Sequence, residues 1–345
     1  MRSTKLNFNV LKELCNGFDL KVILFFIICF FSVLFVCLYQ SESFDLIGVS
    51  NRSVTSAIKS SKIVSPNYPV TDSLYDYEYS AYNFKSWTPK KGYKNTEITL
   101  SKSRGYLLEK DNSDHKKVVY QLHGGAYITP FSANYNEVAI NYSLSYDDAD
   151  VFSLDNRVAS EDMYPAALDD AQEGYEWLLE HGYKASDIVI AGDSSGGGLA
   201  LALTLKLKDD GKNLPRCLIL SSPWANLTQS GFSYINKSNV DIYFGNSDES
   251  KLPTLYATKE ELFSPYVSPV YGDYHGMPPI LIQTGSDEML LSDSKMIEGK
   301  AKEAGIKFEL NIYEGMWHVF YIGSPKIYES RVAWSKIKSF IASVK

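Results

Sequence analysis

Cysteine is scarce in this chain: there are four in 345 residues, and Cys15, Cys29 and Cys37 lie in or before one apolar N-terminal run, leaving only Cys217 beyond it. The part of the chain after that run therefore holds no cysteine pair for a disulfide of its own, and no Cys-x-x-Cys or His-x-x-x-His spacing marks structural zinc or a redox couple. Cys217, within Arg-Cys-Leu-Ile-Leu, reads as a buried strand residue. Histidine is also rare, with five in the chain, so few residues compete for a general-base role. A basic excess is missing as well: the net charge is -7, which excludes the electrostatic footprint of a nucleic-acid partner. Repeats and low-complexity tracts are absent. What the chain does have is 45% hydrophobic and 14% aromatic residues, ample for one large core.

One hydrophobic run stands apart. From Val22 to Gln40 no charged residue interrupts a sequence of Phe, Ile, Leu, Val and Cys. Its length matches the ~20 residues that cross a bilayer, and it exceeds the ~7 to 15 of a signal-peptide core. Residues 22–40 are therefore expected to form an uncleaved signal-anchor helix. Arg2, Lys5, Lys12 and Lys21 precede it, against Arg52 and Lys59 after it, so the tail 1–21 is expected in the cytosol and the remainder in the lumen or outside the cell. Sequons occur at Asn51, Asn141, Asn226 and Asn236.

Residues 41–95, rich in Ser, Tyr, Asn and Lys, read as a linker followed by an N-terminal lid segment, and 96–345 as the catalytic domain. Strands are predicted at 117–122, 150–155, 187–192, 217–221, 279–284 and 307–313. Helices are predicted near 135–146, 165–181, after Gly198 through Leu207, 293–304 and 326–344. Such alternation predicts an α/β fold, a mostly parallel sheet with helices on both faces. Residues 226–274 break the rhythm and read as a lid insertion, since connections of that length are usually functional.

The chemistry-bearing residues fall at the strand ends. Gly192-Asp193-Ser194-Ser195-Gly196 follows an apolar strand and precedes an apolar helix, the setting of a Gly-x-Ser-x-Gly nucleophile elbow on the α/β-hydrolase fold. Ser194 is then the nucleophile. His123-Gly124-Gly125 follows an earlier strand, and the backbone N–H groups of Gly124, Gly125 and Ser195 are the expected oxyanion hole. His123 is expected to brace that loop, and His318, just past the last strand, to be the general base. His115, His181 and His275 read as surface residues. Gly285-Ser-Asp287-Glu288 supplies two adjacent carboxylates after a strand, of which one can orient the imidazole; Asp293 is expected to cap the next helix.

Taken together, His123-Gly-Gly, Asn156-Arg-Val-Ala-Ser-Glu161, Tyr164-Pro-Ala-Ala-Leu-Asp-Asp-Ala171, Gly192-Asp-Ser-Ser-Gly-Gly197 and Gly315-Met-Trp-His318 resemble the hormone-sensitive-lipase-like esterases. The likeness runs from about Thr96 to the C-terminus. Ala126 stands where the family has a third oxyanion-loop glycine, and Ser160 where it has proline. Counting along the strand favours Asp287 as the acid, whereas the family's Asp-x-Leu pattern falls on Glu288-Met-Leu290. An anchor ahead of such a domain is similar to the arylacetamide and sterol deacetylases. The resemblance implies a serine esterase acting on short acyl esters of hydrophobic alcohols, without metal or organic cofactor. The rival readings are an amide-cleaving deacetylase, peptidase or lipase of the same fold, and a non-catalytic ligand-binding module.

Overall fold

The computed structural model describes residues 87–159, 161–245, 252–323 and 327–344. The expected cytosolic tail, membrane span and most of the linker lie outside the described residues. Among the described residues, no helix is long and apolar enough to cross a membrane.

An eight-stranded sheet organises the chain. Its strands are β1 (Tyr93–Thr99), β2 (Arg104–Lys110), β3 (Val118–Leu122), β4 (Asp150–Asp155), β5 (Ile188–Asp193), β6 (Cys217–Ser221), β7 (Ile280–Gly285) and β8 (Phe308–Tyr313). They lie in the order β1-β2-β4-β3-β5-β6-β7-β8. β2 is antiparallel to both of its neighbours, and every pairing from β4 to β8 is parallel. β3, β5, β6 and β7 are buried along their whole length, as apolar runs covered on both faces must be.

Five long helices provide the cover: α1 (Asn134–Ser145), α2 (Ala166–Glu180), α3 (Ser195–Asp209), α4 (Leu291–Glu303) and α5 (Tyr328–Ser343). Alternate strand residues point to opposite sides. Tyr120, Ile190, Leu220 and Ile282 pack with Leu168, Tyr175, Leu199 and Ile297 of α2, α3 and α4. Val119, Val189, Ile219 and Leu281 pack with Val138, Tyr142, Ile337 and Phe340 of α1 and α5. Each fully buried aliphatic side chain contributes about 1.5–3 kcal/mol, so the two layers hold the β5 and β7 ends firmly. Cys217 lies in the second layer as a free thiol, and burial pushes its pKa up to about 12.

Strands β1 and β2 were absent from the sequence expectation. β1 carries Lys94, Asn95, Thr96 and Glu97 and, among the described residues, is paired on one side only, so it lacks the apolar run that betrays a central strand. Of the described sequon asparagines, Asn236 is exposed whereas Asn226 is buried, its side chain bonded to Ser230 and Thr228.

Candidate active site

The β5-to-α3 turn has the geometry of a nucleophile elbow. Ser194 sits at φ 51°, ψ -122°, left-handed territory that a non-glycine residue enters only when its surroundings hold it there. The holding groups are identifiable. Ser194 N donates to Ser221 O at 2.9 Å, and Ser194 O accepts from Trp224 N at 2.8 Å. The flanking glycines are required by space: a Cβ on Gly192 would lie 2.3 Å from Gly196 O, and one on Gly196 would lie 2.2 Å from Leu122 O. Ser195 opens α3, so its N–H is among those at a helix start that lack an intrahelical acceptor.

The two carboxylates left open by spacing face different ways. Glu288 is fully buried, and its Oε2 lies 3.1 Å from His318 Nδ1. Its Oε1 accepts from Ser222 Oγ at 2.8 Å, Thr284 Oγ1 at 3.1 Å and Gly285 N. Asp287 instead turns toward the insertion, where its Oδ1 lies 3.5 Å from Lys237 Nζ. Spacing along β7 had favoured Asp287; the turn after Gly285 reverses that, because Asp287 N is tied to Met316 O. Ser222, which the sequence did not single out, joins both sides: its hydroxyl donates to Glu288 and accepts from Val319 N at 3.1 Å. Its place directly after β6, where α/β sheets gather their functional groups, is the signal that was available.

The oxyanion loop departs from expectation at one residue. Gly124 N donates to Tyr135 Oη at 2.8 Å and to Asp193 Oδ1 at 3.2 Å, so this N–H is already spent. Gly124 is glycine for another reason: a Cβ there would sit 2.4 Å from Asp193 Oδ2 and 3.1 Å from Ser194 Cβ. The next residues carry the loop past the serine. Gly125 has φ +120°, Ala126 has φ 55°, and Ala126 lines the pocket beside Ser194. His123 braces the loop through Nδ1 to Gly124 O at 2.7 Å, and burial lowers its pKa. Behind the loop, burial raises the Asp193 carboxyl to about 6 despite the hydrogen bonds it accepts.

Ser194 opens onto a pocket of about 30 Å3 walled by Ala126, Trp224, Gln229, Tyr234, Phe244, Met289 and Leu290. Phe244 also packs edge-on against the His318 ring, with centroids 4.8 Å apart. Asp293 supports another wall. It lies in the first turn of α4 but does not cap that helix; its Oδ2 accepts from Ala225 N at 3.0 Å, Asn226 N at 2.9 Å and Tyr234 Oη at 3.1 Å. Burial pushes this carboxyl up to about 8. Among the described residues no group of three or more His, Cys, Asp or Glu side chains converges as a metal site.

Of the remaining histidines, His115, His181 and His275 are all exposed as expected, and His115 bonds through Nδ1 to the buried Asp150 at 2.9 Å.

Residues 118–322 match a family model described as the alpha/beta hydrolase fold. An esterase of Acinetobacter venetianus is 33% identical over 248 residues, covering 72% of this chain and 81% of the relative. An acetyl-hydrolase of Streptomyces hygroscopicus is 34% identical, covering 71% and 81%. The crystal structure of an esterase from the bacterial hormone-sensitive lipase family superposes with a TM-score of 0.69 at 29% identity, over 75% of this chain and 86% of that one. The chain belongs to the α/β-hydrolase family, among its hormone-sensitive-lipase-like esterases and lipases.

Proposed function

We propose that the chain is a serine carboxylesterase in which Ser194 is the nucleophile, His318 the general base and Glu288 the acid that orients it. The observation that carries this reading is the buried Glu288 Oε2 to His318 Nδ1 contact of 3.1 Å, with Phe244 packed on the His318 ring and lining the pocket of the strained Ser194. With Nδ1–H held by Glu288, His318 Nε2 is left as the basic nitrogen. His318 takes the Ser194 proton as Oγ attacks the ester carbonyl, and returns it to the leaving alkoxide; water then hydrolyses the acyl-enzyme by the reverse proton transfers. The N–H groups of Gly125, Ala126 and Ser195 stabilise the tetrahedral oxyanion, Ala126 replacing the Gly124 of the sequence expectation. No metal or organic cofactor enters any step.

The small apolar pocket favours a short acyl ester of a hydrophobic alcohol. Hydrolysis of p-nitrophenyl acetate and butyrate that disappears in Ser194→Ala is the expected result; turnover surviving that substitution refutes the reading. Anilide substrates turned over faster than the matching esters would favour amide deacetylation.

Residues 22–40 serve as a single-pass anchor in this reading, an arrangement similar to the arylacetamide and sterol deacetylases, with the catalytic domain lumenal or extracellular. Release of the full chain from membranes by alkaline carbonate would contradict it.

A further inference from the structure

Asp241 lies within the insertion between β6 and β7 and is 3% exposed. Its Oδ1 accepts from Tyr243 N at 2.8 Å and Phe244 N at 3.0 Å, closing a tight turn on itself. Its Oδ2 reaches across 48 residues of sequence to accept from Met289 N at 2.7 Å. The turn is finished by Gly245, whose N donates to Asp241 O at 3.0 Å and whose Cβ, if present, would lie 2.2 Å from that oxygen. One carboxylate thus joins two loops of different function. Phe244 packs on His318 and lines the pocket; Met289 follows Glu288 directly and lines it too.

We propose that Asp241 is a positioning residue that fixes the loop bearing Glu288 against the turn bearing Phe244, and that Phe244, so held, limits the size of the alcohol the site accepts. The assignment to the alcohol side follows from the chemistry: the leaving alkoxide must sit beside the imidazole that protonates it, and Phe244 borders that imidazole. A carboxylate is needed because three N–H donors converge on two accepting oxygens. An amide has only one accepting atom. In Asp241→Asn the amide oxygen can keep the local turn, but an NH2 then faces Met289 N–H and the cross-link opens.

This inference rests on the triad reading above, and the test separates their failures. Wild type, Asp241→Asn and Phe244→Leu, each as the full chain, are compared on ethyl, hexyl and 1-naphthyl acetate, with rates expressed per serine labelled by a fluorophosphonate. Asp241→Asn should lose ~10-fold or more in kcat per labelled site, as small displacements of catalytic groups do. It should also raise the ratio of kcat/KM for naphthyl over ethyl acetate about 10-fold, in the same direction as Phe244→Leu. Lowered thermal stability with wild-type kcat per labelled site and an unchanged ratio would overturn the proposal, leaving Asp241 a simple loop brace. Should Asp241→Asn fail to fold, Phe244→Leu decides, and an unchanged ratio there overturns it equally. A wild-type chain that is neither labelled nor active would instead sink the triad reading on which the proposal stands.

Discussion

Replacing Glu288 by Gln tests the assignment of the acid with almost no change in volume. The outcome can be worked from the acceptor pattern. Glu288 Oε1 takes three donors, from Ser222 Oγ, Thr284 Oγ1 and Gly285 N, and an NH2 group can accept none of them. The glutamine carbonyl must therefore stay at the Oε1 position. Its NH2 then points at His318 Nδ1, which has to be unprotonated to receive it. The neutral imidazole carries its proton on Nε2 instead, and the nitrogen that should take the Ser194 proton is blocked. A tautomer error of this kind costs about 10^4-fold in kcat, or about 5.4 kcal/mol of transition-state stabilisation. Asp287→Asn removes only a part-exposed contact with Lys237 at 3.5 Å, and should change kcat less than about 2-fold and stability by under ~1 kcal/mol. The assay is p-nitrophenyl butyrate hydrolysis by the two variants side by side. An active Glu288→Gln together with a dead Asp287→Asn would refute the reasoning.

Other substitutions probe the supporting shell. Ser222→Ala deletes a donor to Glu288 and the acceptor of Val319 N, and an unpaired buried group costs about 1–3 kcal/mol, so both thermal stability and kcat should fall; unchanged kcat per folded molecule would show that the bridge does not orient the triad. Gly124→Ala forces a Cβ to 2.4 Å from Asp193 Oδ2 and should lower the yield of folded protein, which circular dichroism reads directly. Asp293 predicts a pH effect with a definite sign. Its folded pKa of about 8 lies above the ~3.9 of an unfolded aspartate, so between those values the folded state holds a proton that the unfolded chain has released. Stability from this group is full below the unfolded value and is lost as pH rises through the window. Asp193, raised to about 6, still titrates near the lower end of the pH 6 to 8 range, but it is present in both proteins and cancels in their comparison. Melting temperatures measured from pH 6 to 8 should therefore fall less steeply in Asp293→Asn than in wild type; parallel slopes would contradict the protonated Asp293.

The residues differ in how openly the sequence displays them. β4 and β6 were readable to the residue because both are short apolar runs between turn signals, and the elbow because two glycines, a serine and a strand-to-helix junction coincide. The β1–β2 hairpin was hidden by its polar edge, where exposed side chains carry no periodic demand. The choice of acid was hidden for a different reason: Asp287 and Glu288 are adjacent, and only the path of the chain after Gly285 decides which one turns inward. Gly124 misled because a glycine needed for close packing against Asp193 looks the same in sequence as one needed for close approach to substrate. The long-range cross-links made by Asp241 and Asp293 carried no local signal, since they reach backbone groups 48 or more residues away.

The most direct test of the account is peptide mapping by mass spectrometry after treatment of the full chain with a fluorophosphonate. It predicts a single covalent adduct, on the peptide carrying Ser194, formed in step with the loss of esterase activity and absent from Ser194→Ala. Ester turnover that persists with Ser194 fully modified, or inactivation by an adduct on another residue, would contradict it.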